Sequence, residues 1–142
     1  MNKLKLTILA VVASIFASSA SAFDPDDLQK LKGTNKCFQC NLMAANLRGV
    51  NLRDAYLVGA NLKGADLYQA YLDGANMHSV NLRDTDLRGV ILRGANLHGA
   101  NLKGADLSSA DLKGANLYYA TMEGVILCNT TMPDGSVIYS GC

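Results

Sequence analysis

Ala60-Asn61-Leu62-Lys63-Gly64-Ala65-Asp66-Leu67-Tyr68-Gln69 carries the pattern that decides the fold: a small residue, Asn or Asp, Leu, then two freer positions. The register holds without a slip from Leu42 to Leu127, giving eighteen consecutive units within residues 40–129. With the leucine position called i, this site is Leu in sixteen units and Met in two, Met77 and Met122. Position i−2 is Ala in twelve units and Val in four, with Cys40 and Thr85 as the exceptions. Asn or Asp fills i−1 in thirteen units, and Gly fills i+2 in ten.

A period of five suits neither regular structure. On a helix, at about 100° per residue, successive leucines would wander round every side. On a strand the odd spacing would send them to alternate faces. The pattern closes only if each unit is a short extended piece followed by a bend. Positions i−2 and i then point inward, i−1 points outward, and i+1 with i+2 turn the corner. Gly at i+2 fits a bend that needs positive φ, and Asn or Asp at i−1 suits local backbone hydrogen bonding. One large and one small inward residue per unit fill a narrow interior without voids.

This run of A-(N/D)-L-x-x units resembles the pentapeptide-repeat proteins, of the exported bacterial type, over about 90 of the residues. The resemblance implies an all-β fold: a right-handed quadrilateral β-helix with four units per coil of twenty residues. Eighteen units then make 4.5 coils, a rod roughly 20 Å long at the ~4.8 Å spacing of paired strands.

The chain divides into a leader, residues 1–22, an amino-terminal cap, 23–39, the repeat, 40–129, and a carboxyl-terminal cap, 130–142. Lys3 and Lys5, the apolar run Leu6 to Phe16 and Ala20-Ser21-Ala22 match the three regions of a signal peptide. The apolar run is about half the ~20 residues that span a bilayer, so a cleaved leader is read in preference to an anchor. The product is expected to be exported, to the periplasm or the medium, or to a thylakoid lumen if the source is photosynthetic. No later segment is apolar enough to cross a membrane.

Asp24 to Gly33 predicts a short capping helix. Asp24 serves as N-cap, Pro25 lies in the first turn, and Gly33 is the stop, with Leu28 and Leu31 facing the open end of the rod. At the other end, Thr130-Thr131-Met132 mimics a further unit, Pro133 to Ser136 is a turn, and Val137 to Tyr139 a short strand folded over the last coil.

Four cysteines in an exported protein point to disulfides. Cys40 and Cys128, 88 residues apart, would stand about 20 Å apart on the implied rod, beyond the ~7 Å reach of a disulfide. Cys37–Cys40 and Cys128–Cys142 are therefore the expected pairs, each stapling a cap. The alternatives are a C-x-x-C redox centre at Cys37 and Cys40, or a buried thiol at Cys40.

Residues twenty apart share a side of the implied rod. Lys63, Arg83 and Lys103 form a basic column that could meet an anionic polymer, with a solvated face as the plainer reading. His78 and His98 fall one coil apart, two ligands without the third that a metal site needs. Asp66, Asp86 and Asp106 form a carboxylate column that calcium could suit, although the repeat itself puts Asp there. Tyr71 and Ile91 replace Asn or Asp in vertically adjacent units and are the best candidate for a partner surface, against a plain apolar ladder between coils.

No nucleophile–base pair, phosphate loop or cofactor motif is present, so an enzyme is not expected. Without Lys3 and Lys5 the chain has eleven basic and twelve acidic residues, a net charge of −1. That balance gives no case for nucleic-acid binding. It also argues, with the leader, against the topoisomerase-protecting role of some relatives, where an acidic rod resembles DNA. The expectation is a non-enzymatic structural or protein-interaction module; the redox or metal-handling alternative rests on Cys37/Cys40 and His78/His98.

Overall fold

In the computed structural model, which describes residues 23–142, each outward i−1 residue from Asn41 to Asp111 pairs in parallel with the residue twenty positions on. Asn41 bridges Asn61, Asn61 bridges Asn81, and Asn81 bridges Asn101, and the other three sides repeat the arrangement. Four units therefore close one coil. The first side is numbered from 40–44, the second from 45–49, the third from 50–54 and the fourth from 55–59. The leader 1–22 lies outside the described residues.

The repeat follows from an accounting of backbone donors. In the unit around Leu62, the Leu62 N–H donates to Asn81 O in the next coil at 2.8 Å, and the Gly64 N–H donates to Arg83 O at 2.8 Å. The Asn61 N–H donates back to Cys40 O at 2.8 Å, and the Ala65 N–H closes the corner onto Leu62 O at 3.0 Å. One donor per unit, the i+1 N–H, is left over. The Asn or Asp at i−1 takes it: in all thirteen such units the side-chain oxygen accepts the i+1 N–H at 2.9–3.3 Å. The preference at i−1 is thus a hydrogen-bonding requirement of the coil.

Each corner has the left-handed residue of a type II turn at i+2. All eighteen i+2 residues have positive φ, from Ala44 at 57° to Asn129 at 54°, including the eight that are not glycine. The two residues given to each bend leave only one bridging residue per side. Regular strands are consequently few: the described residues contain only β1, Thr130–Thr131, and β2, Val137–Ile138. The fold is a bridged solenoid more than a sheet protein in the ordinary sense.

The inward positions are as the pattern requires. Leu42 to Leu112 form a column that is 0–2% exposed, with the i−2 alanines beside them. Thr85, the polar exception at i−2, is buried and donates its hydroxyl to Leu62 O at 2.9 Å, so this hydroxyl is not stranded in the core.

Helix α1, Pro25–Thr34, covers the amino-terminal end. The Asp24 carboxylate accepts the Asp26 and Asp27 N–H groups, and Leu31 is buried in the core with Phe23 and Leu28 packed against it. The helix runs through Gly33 and stops at Asn35, whose φ of 58° and N–H bond to Leu31 O make the left-handed cap. Asn tolerates that conformation, so the glycine is not the stop.

The carboxyl-terminal cap is less complete than its sequence suggests. β1 extends the third side, with Thr131 bridging Asp111, and pairs antiparallel with β2. Leu117, Met122 and Leu127, the core residues of the last coil, remain partly exposed. No helix among the described residues is long and apolar enough to cross a membrane.

Candidate functional site

The interior is uniform, so any specific chemistry must lie on the four outer sides or at the caps. On the third side, Tyr71 and Ile91 are direct bridge partners, with Asn51 before them and Asp111 after. Neither side chain can accept a hydrogen bond as Asn does. The N–H groups of Asp73 and Arg93 accordingly have no acceptor among the described residues. Arg53 lies over the Tyr71 ring at 4.6 Å and pairs with Asp73 at 3.2 Å. Gly49 and Gly89, at the preceding corner, leave a recess of about 400 Å³ that is lined also by Gln69, Tyr71 and Ile91. The predicted pair therefore flanks a shallow groove with unsatisfied backbone donors beside it.

The basic column on the first side is real but partly neutralised. Lys103 pairs with Glu123 at 3.0 Å, leaving Lys63 and Arg83. Asp84 does not pair with Arg83; its carboxylate turns to the Gly104 corner. On the second side the aspartates are already engaged. Asp66 pairs with Arg48 at 3.0 Å, Asp86 holds Arg88 through two side-chain bonds of 2.9 and 2.6 Å, and Asp106 accepts the Ser108 N–H and hydroxyl. The hydrogen-bonded guanidinium of Arg88 holds the Asp86 carboxyl below its usual range, against a smaller upward push from partial burial. Tyr68 fills the gap between Arg48 and Arg88, its ring 4.4 and 5.4 Å from their guanidinium carbons. These contacts form a cross-coil ladder that stiffens the second side, and they use the carboxylates that a calcium ion would need.

His78 and His98 stack on the fourth side with ring centroids 5.0 Å apart, and Tyr119 meets His98 edge-on at 5.4 Å. The Nδ1 of His98 is buried without a partner among the described residues.

The cysteines pair as expected: Cys37 with Cys40, and Cys128 with Cys142. Cys37 and Cys40 are 0% and 2% exposed. They sit beneath α1, where Asp27 accepts the Asn41 N–H at 2.8 Å. Asp27 lies close enough to both sulfurs to complete a three-ligand cluster, but the sulfurs are bonded to each other, and the burial suits a staple.

One feature escaped the residue-by-residue reading because it appears only when whole sides are compared. The fourth-side units 55–59, 75–79, 95–99 and 115–119 contain no charged residue, whereas the other three sides carry them in nearly every coil. Sorting the sequence by twenty would have revealed it.

A four-sided solenoid of five-residue units, closed by outward Asn and Asp, defines one class of protein. The chain belongs to the pentapeptide-repeat family: the family model described as pentapeptide repeats matches residues 40–78, 55–94 and 95–132, in eight copies. Among solved structures it is similar to HetL, a pentapeptide repeat protein involved in heterocyst differentiation regulation from the cyanobacterium Nostoc sp. strain PCC 7120. That match has 33% identity and a TM-score of 0.66, and covers 72% of this chain and 51% of HetL. The chain thus spans about half the length of HetL. It is also similar to a pentapeptide repeat protein of the Arabidopsis thaliana thylakoid lumen, at 22% identity and TM-score 0.37, covering 70% of this chain and 68% of that one. QnrB1, a plasmid-mediated fluoroquinolone resistance protein, matches at 20% identity and TM-score 0.47, over 75% of this chain and 51% of QnrB1. At those values neither of the last two bears on function. No curated protein matches in sequence.

Proposed function

We propose that the chain is an exported, non-enzymatic rod of the cell envelope, wound right-handed, that binds a protein partner through the Tyr71–Ile91 patch. The destination is the periplasm or the medium, or a thylakoid lumen in a photosynthetic source. The observation that carries the partner surface is the double break in the motif. In two successive coils of one side the Asn or Asp is replaced by an apolar-faced residue, at the loss of two side-chain–backbone hydrogen bonds. Stability alone favours Asn there, so the exchange supports a role in contact. The recess beside it gives a partner side chain somewhere to enter.

The test is capture from an envelope extract by the mature protein and by the Tyr71→Ser/Ile91→Ser variant. One protein held in stoichiometric amount by the parent and lost by the variant is the expected result; equal capture by both sinks the reading. The mass of the exported product should correspond to a chain beginning at Phe23. The topoisomerase-protecting alternative predicts that the purified rod shields gyrase from a fluoroquinolone. The paired, mixed charges of the first three sides support the envelope reading over that one.

A further inference from the structure

We propose that the fourth side is a docking strip for a linear, uncharged polysaccharide laid along the rod. This is independent of the protein-partner surface on the third side.

The strip is distinguished first by charge. From Ala55 to Tyr119 its four units contain none, while the Arg, Lys, Asp and Glu of the repeat are confined to the other three sides. These four charge-free units offer a polyanion or a charged protein surface no opposite charge to meet. Within these four units the strip exposes no charge that a neutral ligand would have to desolvate; the nearest charge on this side is the exposed Lys36, which bridges Tyr56 at the foot of the strip.

Its side chains are also those that hold sugars. Tyr56, 41% exposed, and Tyr118, 73% exposed, offer ring faces near its two ends, with Phe38 beside Tyr56 and Tyr119 beside Tyr118. Such rings take the C–H face of a pyranose. Between them stand the Asn76 and Asn96 amides and the His78 and His98 imidazoles. Amide and imidazole groups of this kind hydrogen-bond hydroxyl groups, and at His98 the Nε2 is the atom left for a ligand, since Nδ1 is buried. Asn96 is already oriented by donating to Asn76 at 3.3 Å, and His98 by stacking on His78, so the row is preorganised.

The layout separates this ligand from a protein. A protein interface concentrates apolar residues at its centre and polar ones at its rim. Here the order is reversed, with rings at the two ends and a polar middle. That arrangement fits a polyhydroxylated chain running up the coil ladder, stacked where it enters and leaves and hydrogen-bonded between.

The experiment is native electrophoresis of the mature protein through gels containing hydroxyethylcellulose, laminarin or glycol chitin, with a heparin gel as the anionic counterpart. We expect retardation by at least one of the three neutral polymers. Tyr56→Ser/Tyr118→Ser should weaken it about tenfold, as loss of two stacked rings implies, while Tyr71→Ser/Ile91→Ser should leave it unchanged. Melting curves establish that each variant is folded, and Tyr118→Ser alone serves if the double variant loosens the coil. Passage unretarded through all three neutral gels overturns the proposal. So does retardation that the ring variants retain, retardation by heparin alone, or loss of a captured protein in the ring variant without any effect of the neutral polymers.

Discussion

Asn81 donates from Nδ2 to Asn61 Oδ1 in the preceding coil and accepts the Arg83 N–H on its own Oδ1, both at 3.2 Å. One outward side chain thus ties a corner to its own backbone and two coils to each other. Asn81→Ala removes both bonds and leaves the Arg83 N–H without its acceptor. At about 1 kcal/mol for each net hydrogen bond, the variant should lose about 1–2 kcal/mol, read in urea titrations. Asn81→Asp keeps the acceptor and should lose less. Equal stability of parent and Ala variant would disprove the donor accounting.

The converse change should stabilise. Ile126 occupies the same position on the second side, is 41% exposed, and leaves the Cys128 N–H without an acceptor among the described residues. Ile126→Asn supplies that acceptor and sacrifices little buried surface. A gain of about 0.5–1 kcal/mol is expected from one new hydrogen bond. A lowered melting temperature would show that Ile126 packs more usefully than its exposure indicates.

These positions show what could be read from the sequence. The inward assignment of Leu and Ala needs only the period of five, and the structure agrees from Leu42 to Leu112. Cap chemistry at Asp24 was equally local and legible. Gly33 misled because helix termination depends on which residue reaches the left-handed region after the last Leu31 contact, and that residue is Asn35. The closure of four units per coil came from the family resemblance, since nothing in one unit encodes how many meet in a ring. The four charge-free units emerge only when whole sides are compared, since single columns such as His78 and His98 do not display them. The half-open last coil, with Leu117 and Met122 partly exposed, depends on where the tail crosses, and five-residue statistics do not specify that path.

Corner conformation gives a paired prediction. Gly74 has φ 66°, and a Cβ there would strike the Asp54 carboxylate. Gly74→Ala should therefore destabilise by at least the ~1–2 kcal/mol of a left-handed L-residue. Ser109, at φ 59°, already bears that penalty. Ser109→Gly should relieve it and gain up to about 1 kcal/mol, offset by the freer unfolded chain. Thermal melting of the two variants should move in opposite directions; movement in the same direction would contradict the shared corner geometry.

The two disulfides should differ in reactivity. Cys37 and Cys40 are buried under α1, whereas Cys142 is exposed and Cys128 half-buried. Access governs thiol–disulfide exchange, so mild reductant on the folded protein should free Cys128 and Cys142 first. Mass-resolved thiol labelling will report the order, with Cys37 and Cys40 labelled only after denaturant. The Cys128–Cys142 loop spans 14 residues, and its removal should cost up to about 3 kcal/mol by loop entropy. Earlier labelling of Cys37 would mean that α1 opens more readily than the tail.

Acid sensitivity should localise at Asp86. Its carboxyl is held below the usual carboxylate range, chiefly by hydrogen bonding to Arg88. A depressed folded value means that the unfolded chain binds the proton first as pH falls. The stability from this pair is therefore complete above the ordinary carboxylate range, declines below about pH 4, and vanishes once the folded carboxyl is also protonated. Asp86→Asn keeps an oxygen for the Arg88 N–H but has nothing to titrate. The melting temperature of the parent relative to this variant should be constant at neutral pH and should fall between about pH 4 and 2. Asp111 and Asp134, which are also lowered, are common to both proteins and cancel in the difference. Parallel curves across the acid range would show that the Asp86–Arg88 contact does not outlast solvent competition.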